Sequence, residues 1–207
     1  MKPLFLCLFC IISCLCFSQQ AEEFRNVKNY YNHHHQLLNH EFKKKYDAET
    51  NALSKDAIKG DFVFFMKKMD SIENVALIGA LLKVKNLEDL RKLQTRGMIS
   101  NNHTDLIPTT EKSADYPGGI NALRQEVADL FYIDGVYAEE KTVKAHIAFI
   151  VEKDGTISNV QAQGNNFTFN RQAEIALYSI SEKFAPAVFK GSNVRYRFKL
   201  PLTMTFD

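Results

Sequence analysis

The sequence predicts an α+β protein, an all-helical N-terminal region followed by an α-β-β-α-β domain built on a three-stranded antiparallel sheet. Three observations carry this. Residues 21–95 contain no proline and repeat their apolar side chains at helical intervals. Val143, Ala145, Ile147, Phe149 and Val151 alternate with more polar neighbours ahead of Asp154-Gly155. Near the end, Val194, Tyr196, Phe198, Leu200, Leu202 and Met204 alternate with Arg195, Arg197, Lys199 and Thr203. A chain of 207 residues that is 45% hydrophobic and 24% charged has the composition of a folded protein of one or two domains.

The chain opens as a secretory signal. Met1-Lys2 precedes an apolar run from Pro3 to Phe17, after which Ser18-Gln19-Gln20-Ala21-Glu22-Glu23 is abruptly polar. A bilayer-spanning helix needs about 20 apolar residues, so the run is short for a permanent anchor. Cys16-Phe17-Ser18 places small side chains where a signal peptidase reads them, which predicts a cut after Ser18 and export to the periplasm. Two alternatives stand beside it. Ile11-Ile12-Ser13-Cys14 resembles a lipoprotein box, which would lipidate Cys14 for the outer membrane, and an uncleaved run would leave an inner-membrane anchor.

Residues 19–97 are expected to be helical, with three or four helices. Phe24, Val27, Tyr31, Leu38, Phe42 and Tyr46 stripe a long first helix. Ile58, Phe62, Phe65, Met66 and Met69 stripe a second, about Asp56 to Met69. Asp70 or Ser71 caps a third, with Val75, Ile78, Leu81 and Leu82 as its buried candidates. Asn86 caps a fourth, Leu87 to Arg96, stopped by Gly97. Residues 98–113, with Ser, Asn, Thr and Pro108, read as a linker to a domain over 114–207.

In that domain Tyr116-Pro117-Gly118-Gly119 opens a helix, its glycines free to take unusual φ. The first strand centres on Val143 to Val151, and Asp154-Gly155 predicts a type I′ hairpin returning along Ile157 to Gln161. Phe169 to Ile180 is a helix with Asn170 as N-cap and Ala173, Ala176, Leu177 and Ile180 inward. Asn193 to Phe206 is the last strand, one face apolar and one basic.

The order of these pieces resembles the C-terminal domain of TonB, the energy transducer of Gram-negative envelopes. The matching residues are Tyr116-Pro117-Gly118-Gly119, Phe149 to Val160 around Asp154-Gly155, Phe169-Asn170 before an Ala-rich helix, Ala185-Pro186-Ala187, and Gly191 leading to Val194 and Leu200-Pro201-Leu202. The likeness covers about 114–207. Phe184 stands where members usually carry a tryptophan, and Tyr137-Ala138 where they often carry Tyr-Pro. The Pro-rich arm of that transducer has no counterpart among the five scattered prolines.

The resemblance implies a binding module that adds an extended segment of an outer-membrane receptor, or another envelope protein, to the edge of its sheet. The partner-binding residues it implies are Arg195, Tyr196, Arg197, Phe198, Lys199 and Leu200 on the last strand, whose basic members suit an acidic or polar peptide. Charged protection of a bare edge is the plainer reading of the same residues. A homodimer by strand exchange is a further possibility of the fold.

Other chemistry is not visible. The formal charge of +2 excludes a charge-driven nucleic-acid binder. All four cysteines, Cys7, Cys10, Cys14 and Cys16, fall in the signal, which leaves the remainder without thiol or disulfide chemistry. His33-His34-His35 and His40 invite a metal assignment. Yet only partial sites arise at helical spacing, His33 with Gln36 or His35 with Asn39, and Glu41 is the sole acid near them. They read as a solvated helix face, so no metal or cofactor is expected. His146 reads as a surface residue of the first strand with no nucleophile or orienting acid beside it, so no catalysis is expected either. Lys43-Lys44-Lys45 and Lys67-Lys68 read as solvated faces, and no phosphate-loop glycine spacing occurs.

Overall fold

The structure is a computed structural model that describes residues 19–98 and 111–206. The signal segment 1–18 and nearly all of the expected linker lie outside the described residues. No helix among the described residues is long and apolar enough to cross a membrane.

The protein is α+β, with a helical N-terminal region and a three-stranded antiparallel sheet. Helix α1 (Gln19–Ala48) and helix α2 (Ala52–Met98) come first. Then follow α3 (Gly119–Asp129), a 3-10 turn (Ile133–Gly135), β1 (Thr142–Val151), β2 (Ile157–Gly164) and α4 (Phe167–Tyr178). A two-stranded hairpin, β3 (Ala187–Phe189) and β4 (Ser192–Val194), precedes β5 (Tyr196–Thr205). The sheet order is β2-β1-β5.

The expected second, third and fourth helices are one helix of 47 residues. Asp70, Ser71 and Asn86 could each cap a helix, but none is a proline, and the α2 backbone runs through all three. The true start is Asn51, whose Oδ1 accepts from the Leu53 and Ser54 amides at 2.9 and 3.2 Å. The buried face also differs from expectation: Leu77, Ala80, Leu81, Val84 and Glu88 point inward, while Val75, Ile78 and Leu82 are exposed. Both faces are apolar, and the one chosen is the one that meets the C-terminal domain.

α1 and α2 form an antiparallel hairpin, as the pairs Glu23–Lys83, Lys28–Glu73, His35–Asp70 and Phe42–Phe62 show by running in opposite order. The hairpin is not a separate body. Phe24 of α1, fully buried, stacks on Tyr178 of α4 with ring centroids 5.2 Å apart. One continuous core runs from Phe24 through Leu77, Leu81 and Val84 to Leu123, Ile147, Ile175 and Leu200.

Strand β1 buries Val143, Ala145, Ile147, Phe149 and Val151, the expected alternating set. The turn after it is not type I′. Gly155 alone has positive φ (81°), with the Gly155 amide donating to Glu152 O and the Glu152 amide to Thr156 O, so the loop is a type I turn closed by a glycine in the left-handed region. The two-residue turn with positive φ at both centres lies instead at Lys190-Gly191, between β3 and β4. That hairpin takes Asn193 and Val194 out of the expected last strand. Helix α4 is capped by Asn166, whose side chain accepts from the Phe169 amide at 2.8 Å. Asn170 sits inside the helix and donates to Gly164 O instead.

Candidate functional site

A three-stranded sheet has two edges, and here they have different fates. The outer edge of β2 is closed by side chains. The Asn159 amide donates to Glu88 Oε1 (2.7 Å), the Val160 amide to the Tyr178 hydroxyl (3.1 Å) and the Ala162 amide to Glu174 Oε1 (3.0 Å), while Val160 O accepts from Lys85 (3.1 Å). Asn159 can reach Glu88 because a β-bulge places it at φ 52°, turning its N–H out of the ladder. The carboxylates are well satisfied although buried: Glu88 also accepts from Tyr178, and Glu174 also accepts from Lys85 and Arg171. Burial foremost, and then the Glu88 charge and hydrogen bond, push the Tyr178 phenol far above its ordinary pKa.

The outer edge of β5 has no such cover. Among the described residues no strand pairs with it. The Phe206 amide donates to Lys141 O (2.8 Å), continuing the β1–β5 register in which Thr142 opposes Thr205 and Val151 opposes Tyr196. Even-numbered residues from Tyr196 to Met204 therefore bond to β1, and odd-numbered ones turn their backbone outward. Outward amides belong to Arg197, Lys199, Thr203 and Thr205. Pro201 falls in the same outward set, where a missing N–H costs the sheet nothing.

The structure divides the six sequence-predicted residues by this parity. Tyr196, Phe198 and Leu200 face inward, with Leu200 fully buried. Phe198 stacks on Phe149 and meets Phe184 edge-on. Phe184, in the position expected of a tryptophan, also contacts Tyr116 and Phe149, so it anchors the start of β5 from below. Arg197 and Lys199 are exposed on the outer sheet face and make no ion pair among the described residues. Arg195 lies just before β5, and its guanidinium donates to both oxygens of Glu152 at 2.9 and 3.0 Å, an ion pair that a partner's carboxylate would have to compete with.

His146, Gln161, Gln163, Arg197, Lys199 and Pro201 line a shallow depression on the open face of the sheet. Lys144 lies beyond His146 on the same face, across from Thr203. No acidic side chain lies in the depression around Arg197 and Lys199, whereas Glu139 and Glu140 share an adjoining cavity with Lys144 and His146, so the positive charge is confined to the β5 side. The parity of β5 was readable in the sequence from Pro201; the closure of the β2 edge was not, because it joins β2 to side chains of α4 and to side chains of α2 that lie 71 and 75 residues earlier in the chain.

No family model, no curated protein and no solved structure matches the chain.

Proposed function

We propose that this chain is an exported protein-binding module of the Gram-negative envelope, similar to the TonB C-terminal domain and linked to outer-membrane transport. It captures a short extended segment of a partner as an added strand on β5 and carries out no catalysis. One observation carries the reading: of the sheet's two edges, β2 is sealed by Glu88, Tyr178 and Glu174, whereas among the described residues no strand pairs with the outer edge of β5. Arg197 and Lys199 favour acidic or polar side chains on the incoming strand. Pro201 offers no amide, so pairing over Arg197 and Lys199 spans only a few residues before it is interrupted.

The test is a titration of the protein with extended acidic and neutral peptides, followed by amide chemical shifts. Binding at or below about 1 mM with perturbed Arg197 and Lys199 amides is the expected result. Lys199→Pro removes an outward amide without touching the β1 ladder and should abolish it, while Lys199→Ala should weaken it modestly. No binding, or equal binding by the Pro variant, refutes strand addition. The alternative reading, a membrane-anchored transducer for TonB-dependent import, requires residues 1–17 to be retained. Intact mass from fractionated host cells separates them: a start at Gln19 or a lipidated Cys14 sustains the module, and a start at Met1 in the inner membrane sustains the transducer.

A further inference from the structure

The helical hairpin brings together three ligand-bearing side chains that the sequence keeps apart. His35 projects from α1, and Asp70 and Glu73, three residues apart on one face, project from α2. His35 Nε2, one oxygen of Asp70 and one of Glu73 all lie within 4.8 Å of one another. Two atoms here, His35 Nε2 and Glu73 Oε1, are shielded from solvent and make no well-aligned hydrogen bond, although Lys28 Nζ stands 3.0 Å from Glu73 Oε1. Glu73 as a whole is only 7% exposed. The Lys28 ammonium offsets part of the desolvation cost of the Glu73 oxygen, whereas the buried His35 nitrogen has only the long 3.4 Å approach of Asp70.

We propose that His35, Asp70 and Glu73 bind a first-row divalent cation of the zinc class, which clamps α1 to α2. The chemistry of the donors fits: one imidazole nitrogen and two carboxylate oxygens are an accepted set for zinc, with room for water at the fourth position. The spacing fits as well. His35 Nε2 and Asp70 Oδ1 are 3.4 Å apart, too long for a good hydrogen bond but close to the roughly 3.3 Å edge of a tetrahedron with bonds near 2.0–2.1 Å. Charge points the same way. The one cation now at the cluster is Lys28, whose Nζ lies 3.0 Å from Glu73 Oε1, a single positive charge against two carboxylates. A divalent ion with neutral His35 balances both, and Lys28, partly exposed on a flexible stem, can swing to water. Asp70, with 44% of its side chain exposed, gives the ion its way in.

On α1 the site lies about two turns before the ring of Phe42, which meets Phe62 and Phe65, and it is next to Asn74, which accepts from Gln172 of α4 at 2.7 Å. An ion there stiffens the hairpin where it meets the C-terminal domain.

The experiment is titration of the untagged protein beginning at Gln19, which carries no cysteine to compete for the ion, with Zn²⁺ alone, read by calorimetry and by thermal unfolding. One equivalent should bind and raise Tm. Because His33, His34 and His40 could hold zinc adventitiously, the triple variant His33→Ala/His34→Ala/His40→Ala is the control and should bind as the parent does. Asp70→Asn, at a half-exposed position that folding tolerates, should weaken binding at least about tenfold, as should His35→Ala. Lys28→Met, by removing the resident cation, should tighten it. Absence of stoichiometric binding, or binding lost in the triple variant and kept in Asp70→Asn and His35→Ala, overturns the proposal.

Discussion

The Tyr178 hydroxyl donates to Glu88 Oε1 at 2.7 Å in the buried seam where α2 lies against α4. The same hydroxyl accepts from the Val160 amide, and the same carboxylate oxygen accepts from the Asn159 amide. Tyr178→Phe therefore leaves the Val160 N–H unpaired and takes one donor from Glu88. The expected loss is about 1–3 kcal/mol in urea unfolding. Glu174→Ala, which unpairs the Ala162 amide and takes the counter-charge from Lys85, leaving it Val160 O alone, should cost more, about 3–5 kcal/mol. Both variants should still unfold in one transition; a separate early transition of the helical hairpin would show that the seam does not couple the halves.

Alkaline stability follows from the same phenol. Its folded pKa is raised, so the folded state keeps its proton when the unfolded chain has released it near the ordinary value of 10.0. The contribution is complete below that pH and is lost as pH rises above it. Phenolate absorbance from Tyr178 should appear together with loss of helical ellipticity, and Tyr178→Phe should flatten the slope.

At the acid end the relevant group is Glu126. Burial raises its pKa, but hydrogen bonds from the Tyr116 hydroxyl and from the Ser181 amide and hydroxyl outweigh this and bring it below the ordinary 4.5. The stabilisation is present above 4.5 and disappears as pH falls through the lower folded value. Stability of Glu126→Gln compared with the parent across this range should converge in acid and diverge toward neutrality.

Two backbone positions separate steric from conformational effects. A Cβ on Gly155 would stand 2.1 Å from Phe184 O in addition to the positive φ, so Gly155→Ala should cost about 2–4 kcal/mol. Asn159, at φ 52°, should accept glycine nearly without loss, while Asn159→Val, β-branched in the left-handed region, should cost about 1–2 kcal/mol. Melting curves of the three variants decide this.

The sequence carried β1 well, because a half-buried strand imposes a period of two on residues that are neighbours. It carried the division of the long helix badly. Asp70, Ser71 and Asn86 have side chains able to cap, but the helix continues through all three: the buried stripe from Leu77 to Glu88 runs past Asn86, and α1 pairs with α2 through Asp70 and Glu73 beside Ser71. Arg195 looked free because its partner, Glu152, lies 43 residues away. The cluster of His35, Asp70 and Glu73 was invisible for a similar reason: ligand spacing was sought along α1, and the acids arrive from α2.

The stacking of Phe24 on Tyr178 sets a condition on when this protein can become itself. Phe24 belongs to α1, and its partner ring lies 154 residues further along the chain, so the pair closes only when α4 is in place. Until then Phe24, Leu77, Leu81 and Val84 have no surface to cover them. Contacts of such sequence separation form late, so the inward face of the hairpin is covered only once α4 has packed against it.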